Sequence, residues 1–250
     1  MSDFNRGYPR TVPAGAADMS VDAGLRAFML GVYNKLALGL LLSAAMAYLT
    51  GAYPPVRDLM FQERPNGAIG FSGLGMIVAF APLAILLFNG FFMRSVTPRS
   101  SGVIYWAIVA LMGASLGSVV LLYTTASVAS TFLITATAFG ALSLAGYTTK
   151  KDLTGFGSFL IVGLVGIIVA MLANLFLRSA MIFFVVNVIG VLIFAGLIAY
   201  DTQRLKMVYY QLGGDTAALG VATNYGALNL YLDFINLFRF LLYFMGGSRR

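Results

Sequence analysis

The sequence predicts an all-α membrane protein of seven transmembrane helices, and three observations predict it. Of 250 residues, 60% are hydrophobic and only 10% are charged, whereas a soluble domain carries roughly a quarter of its residues as charges. Too little polar surface is left to face water. The apolar residues gather into seven blocks, each close to the ~20 residues with which a helix crosses a hydrocarbon core of about 30 Å. The connections between blocks are mostly short, which leaves one bundle and no room for a second domain.

In chain order, residues 1–27 are rich in Ala, Gly, Pro and Asp, show no apolar periodicity, and read as a flexible cytoplasmic tail. They carry both charge signs and no small-residue cleavage site follows them, so no signal peptide is expected. Spans are then expected at 28–50, 73–93, 102–123, 128–147, 157–177, 180–200 and 227–246, together one seven-helix domain over 28–250. The fourth is the most diluted, by Ser127, Ser130, Thr131, Thr135, Thr137 and Ser143. Helix hydroxyls can bond back to the preceding turn, so the block still qualifies. Paired small residues within spans (Gly113 and Gly117, Gly163 and Gly166, Gly190 and Gly196) read as close-packing positions. Only 51–72 and 201–226 are long connections.

Orientation follows from the basic residues outside the spans, because cytoplasmic segments keep the excess. With the N-terminus inside, the cytoplasmic side holds Arg6, Arg10, Arg26, Arg94, Arg99, Lys150, Lys151, Arg204 and Lys206. The other side holds Arg57, Arg64, Arg178, Arg249 and Arg250. The N-terminus is therefore expected in the cytoplasm. The sixteen Lys and Arg are scattered between apolar blocks rather than clustered, so they read as topology signals and not as a nucleic-acid surface.

The chain has no Cys and no His. That excludes thiol or imidazole catalysis, a His/Cys zinc site and a disulfide framework. A metal could be held only by oxygen. An intramembrane serine hydrolase that needs His is excluded too, and no enzyme is expected.

Ionisable groups within spans are costly and each is a candidate for function. Here they are Lys35, Asp201, Asp233, Arg239 and, at a helix end, Arg94. Lys35 is close enough to the cytoplasmic interface for its long stem to snorkel there; Arg239 lies about midway along the last span. The aspartates are the stronger signal because their short side chains cannot escape. If the sixth helix descends to the cytoplasm and the seventh climbs back, both acids fall in the cytoplasmic half, where they could meet. On the seventh helix Asn229, Asp233 and Asn236 follow i, i+4, i+7 spacing, one stripe expected to face the bundle interior. Two carboxyls within hydrogen-bond distance in a poorly solvated site cannot both ionise cheaply, so they share a proton. Their oxygens are also hard ligands of the kind calcium prefers. The alternative is that Asp201 ends a helix and Asp233 bonds a neighbouring hydroxyl.

The stretches ATAFGALSLAGYTTKKDL (136–153), GLIAYDTQ (196–203) and LNLYLDFINLF (228–238), with DAGLRAFMLGVYNKLALGL (22–40), resemble the Bax inhibitor-1 family, also called the transmembrane Bax inhibitor motif family. The resemblance covers most of the chain from Asp22 onward. It implies seven helices with six surrounding a central seventh, and, for a bacterial member, a pH-sensitive calcium leak channel of the cytoplasmic (inner) membrane. It also implies that Asp201 and Asp233 form the pH sensor and gate, that Arg94 of FFMR can pair with Asp201, and that calcium is the permeant ion, held transiently by the two acids. No cofactor is implied. Some relatives instead act as interaction partners, for example of a membrane protease, and the tail and the 201–226 connection would then carry recognition. Two departures stand out: the connection between the acids is long and contains GGDT (213–216), and residues 73–93 contain no Asp or Glu. An aspartyl protease of the membrane would also need two acids, but the second one here sits in YLDF with no glycine before it.

Overall fold

A computed structural model describes residues 14–247 apart from 66 and 93–95. The helices are α1 (Ala14–Ala52), α2 (Pro54–Met60), α3 (Gly73–Phe92), α4 (Pro98–Ser115), α5 (Gly117–Leu122), α6 (Thr125–Thr148), α7 (Thr154–Leu177), α8 (Ala180–Leu212) and α9 (Thr216–Met245), with a hairpin of β1 (Phe61–Glu63) and β2 (Ile69–Phe71) between α2 and α3. Six segments are long and apolar enough to cross a membrane, and Gly73–Phe88 is a shorter apolar helix among the described residues. The protein is an all-α integral membrane protein.

Helix boundaries follow local chemistry. Thr97 and Ser100 form a reciprocal capping box at the start of α4, with Pro98 in the first turn, satisfying amides that a helix start leaves orphaned. Thr124, Ser179 and Asp215 cap α6, α8 and α9 more simply, each side-chain oxygen accepting from first-turn amides. The span expected at 102–123 is two helices, because the chain steps at Leu116, whose amide is shared between the carbonyls of Met112 and Gly113. The hydroxyl-rich α6 is continuous. Its Thr135, Thr137 and Thr148 hydroxyls donate to the carbonyls four residues back at 2.8 Å, so they cost the apolar surroundings nothing unpaired.

Three boundaries depart from expectation. The first helix starts at Ala14, so residues 14–27 lie within α1 and not in an irregular tail. The 51–72 connection folds into α2 and the hairpin, in register Gln62↔Gly70. The 201–226 connection is helical almost throughout: α8 runs on to Leu212 and α9 begins at Thr216. The GGDT segment is the turn between them. Gly213 (φ 56°) and Gly214 (φ 89°) take left-handed backbone that residues with a Cβ resist, and Asp215 Oδ1 accepts from the amides of Ala217 and Ala218.

The core is built around α9. Leu228, Leu230, Tyr231, Phe234, Ile235, Leu237 and Leu242 are all buried, and α1, α4, α6 and α8 pack on this helix. α3 packs chiefly on α4, and α7 on α8. Close approach between α1 and α4 depends on Gly113, where a Cβ would stand 2.5 Å from Ser43 Cα. Gly166, by contrast, has open space around it.

Candidate functional site

α8 and α9 are antiparallel neighbours joined by the short Gly213–Asp215 turn. Gly190 lets them close up, since a Cβ there would meet the Phe240 ring at 2.6 Å. On the cytoplasm-expected side of that contact, Asp201 of α8 and Asp233 of α9 come within side-chain hydrogen-bond reach of each other. A hydrogen bond between two carboxyls requires a proton on one of them. Asp233 is 5% exposed and Asp201 half-buried. Among the described residues no group donates a hydrogen bond to the enclosed Oδ2 of Asp233. Among the described residues Arg204, about one turn further along α8, is the cation that acts electrostatically on Asp201.

The motifs that lie apart in the sequence meet around this pair. Thr202, next to Asp201, has its hydroxyl 2.8 Å from Ser143 Oγ of α6, which is 2.7 Å from the Tyr33 hydroxyl of α1. Thr202 also donates to the Ile198 carbonyl. The neighbouring Gln203 accepts from the Leu153 amide at 2.8 Å and donates to the Lys151 carbonyl at 2.7 Å. The TTKKDL turn is thereby tied to α8 beside the acid. In that turn the Thr154 hydroxyl, and then the Thr154 amide at 2.8 Å, hydrogen-bond the Asp152 carboxylate and hold it below the usual 3.8.

The remaining sequence candidates divide. Lys35 does not snorkel freely: its ammonium donates to Asn224 Oδ1 of α9 and lies 5.6 Å from the Tyr105 ring centroid. Asn224 in turn donates to Pro98 O and Ser101 Oγ, both at 2.8 Å, joining α1, α4 and α9. Asn224 was invisible as a span residue because the apolar block only begins at 227. Ser43 and Tyr231, hydroxyls 2.7 Å apart in the core, likewise give no periodic signal.

The expected interior stripe on α9 is corrected. Asp233 faces inward, but Asn229 is exposed and Asn236 only half-buried, its amide donating to Leu232 O. The reason is geometric: at about 100° per residue Asn229 and Asn236 flank Asp233 toward a side of α9 that the described residues leave largely open, and Arg239, also exposed, continues that side. Arg94 lies outside the described residues.

Among the described residues no group of three or more acids gathers that could hold a metal ion. Resident calcium takes about six to eight oxygens, so two carboxyls fit transient contact with a passing cation and not a storage site. A cavity of about 490 Å³ lies nearby, walled by Phe234, Ile235 and Phe238 of α9 and by α1, α5 and α6. Its lining is mainly apolar, with Ser43, Tyr48, Tyr123 and Thr125 as its hydroxyl-bearing residues and no carboxylate.

Comparison with known proteins places this architecture among relatives. A family model described as inhibitor of apoptosis-promoting Bax1 matches residues 25–250. A Caulobacter vibrioides protein is 64% identical over 249 residues, covering 100% of both chains. A Rickettsia prowazekii protein is 42% identical over 242 residues, with 97% of this chain and 98% of that one covered. The Escherichia coli inner membrane protein YbhL is 42% identical over 228 residues, 91% of this chain and 94% of its own.

Proposed function

The chain belongs to the Bax inhibitor-1 family, and from that premise we propose that it is a pH-dependent calcium leak channel of the bacterial cytoplasmic membrane, gated by Asp201 and Asp233. The observation that carries the reading is the hydrogen-bond reach between these two carboxyls across the α8–α9 interface. With one proton between them the pair ties the two helices together. When the proton leaves, two carboxylates face each other in a poorly solvated site and repel, because like charges in low dielectric interact strongly. α9 then loosens from α8 and the freed oxygens attract a divalent cation, which moves down its gradient. Arg94, two residues beyond α3 in the sequence, takes the role of bridging Asp201 in the shut state, as the family resemblance implies.

The reading includes a cytoplasmic N-terminus, with α9 at the centre of the bundle against α1, α4, α6 and α8 rather than ringed by all six other spans. It is supported by the grouping of basic segments at one end of the bundle: the Lys151 turn touches α8 at Gln203, and Pro98, next to Arg99, touches α9 at Asn224. Such an excess marks the cytoplasmic side. The inner-membrane location is that of the E. coli relative.

Calcium uptake into proteoliposomes, followed with an internal indicator across neutral pH, tests the gate. Wild type should leak more as pH rises, and Asp201→Asn and Asp233→Asn should each flatten that dependence. A wild-type pH response in both variants defeats the assignment.

A further inference from the structure

Arg239 is the cation that the gating reading leaves unused. It sits on α9 six residues before Met245, or about 9 Å from the helix end at 1.5 Å per residue, inside the apolar run LFRFLLYF. Among the described residues its guanidinium has no carboxylate, carbonyl or hydroxyl accepting a hydrogen bond from it, and its electrostatic neighbour is the Tyr231 phenol. A guanidinium cannot shed its charge in a protein and always presents donors. At this depth it needs an anion.

The surroundings say where that anion comes from. α9 turns Asp233 and Phe240 to α8, Phe234 and Phe238 to the α6 side, and Tyr231 to Ser43 of α1. The opposite side from α6 carries Asn229, Leu232, Asn236, Arg239 and Tyr243, spaced three or four residues apart and all partly or largely exposed. Tyr243 closes its upper edge by stacking edge-on against Phe183 of α8, ring centroids 4.9 Å apart. In a membrane this open side faces lipid. It is a polar seam with a fixed positive charge, reached by lipid heads from the leaflet at the Met245 end.

We propose that Arg239 binds the phosphate of an anionic phospholipid whose head enters this open side of α9, with Asn236 one turn below as a further polar contact. The chemistry fits: guanidinium forks pair with phosphate oxygens bidentately, and a head with net negative charge is neutralised by the arginine, while a zwitterionic head brings its own cation. The binding is independent of the aspartate pair and of calcium flux.

Native mass spectrometry of the purified protein, titrated with phosphatidylglycerol or phosphatidylcholine, measures it. Wild type should retain phosphatidylglycerol preferentially. Arg239→Gln should reduce that preference about fivefold, the factor that goes with roughly 1 kcal/mol per basic residue, and Arg239→Lys should keep part of it. Arg178→Gln, at the turn between α7 and α8, should leave it unchanged. Wild-type preference in Arg239→Gln, or loss in Arg178→Gln instead, overturns the proposal. If Arg239→Gln does not fold, wild type labelled with a head-group photoreactive phosphatidylglycerol decides: adducts within 229–243 support the site, and adducts only elsewhere refute it. Equal protection against heat by inorganic phosphate alone also counts against a lipid site.

Discussion

Gly146 of α6 lies so close to Ala199 of α8 that a Cβ on it would stand 2.1 Å from the Ala199 carbonyl oxygen. The obstacle is helix backbone, which cannot swing aside as a long side chain can. Gly146→Ala should push α6 off α8 two residues from Asp201 and destabilise by about 1–3 kcal/mol, the range for overpacking. Gly140→Ala on the same helix, where nothing lies within 4 Å, should be neutral or slightly stabilising through helix propensity. Thermal unfolding in detergent compares them, and equal melting of the two variants contradicts the close contact.

The Lys35–Asn224 contact makes a second prediction. Asn224→Leu removes the acceptor of the Lys35 ammonium and the two donations to Pro98 and Ser101, and should cost about 1–3 kcal/mol for each buried group left without its partner. Adding Lys35→Met in that background should restore part of the loss. A double-mutant cycle with coupling below about 0.5 kcal/mol would show that the two side chains act independently.

Thr131 should reward removal of its hydroxyl. The side chain is fully buried and its Oγ1 has no hydrogen-bond partner. Thr131→Val keeps the shape and deletes the unsatisfied group, which should stabilise by about 1 kcal/mol. A drop in melting temperature would mean that the hydroxyl is bonded in the membrane-embedded protein.

Asp152 gives a pH prediction with a definite sign. Its folded carboxyl is held below 3.8 by the bonds from Thr154, so its contribution is present above the unfolded value and lost as pH falls through the folded one. Near neutral pH it does not change. Asp152→Asn should therefore leave the pH profile of calcium flux intact while weakening the α6–α7 turn near neutral pH, the difference from wild type vanishing in acid, as monitored by proteolysis of that turn. A flux profile displaced near neutrality would assign this aspartate to the sensor.

Much of this was legible in the sequence, for identifiable reasons. Apolar blocks reported helices because a hydrocarbon solvent forces every backbone group to bond within its own segment. The aspartates stood out because so few acids interrupt those blocks, and α8 and α9 do bring them together. The polar ends were harder to read. Residues 201–226 lack apolar periodicity yet are helical, since hydropathy reports burial in lipid and α8 and α9 run past it. The stripe on α9 was assigned to the interior because Asn229 and Asn236 share a face with Asp233 within a wide arc. Which part of that arc is covered depends on where α8 and α4 lie, and helix spacing on one segment carries no information about its neighbours. Asn224 was missed because its partners, Lys35 and Ser101, are distant in sequence.

The length of α8 has a mechanical consequence. Its 33 residues rise about 50 Å, some 20 Å more than a hydrocarbon core, and a tight turn returns the chain directly into α9. The protruding stalk is a stiff lever with its fulcrum in the membrane and the aspartates near the fulcrum. A force applied sideways at Gly213 would reach the carboxyl pair as torque, with no loop in between to absorb it.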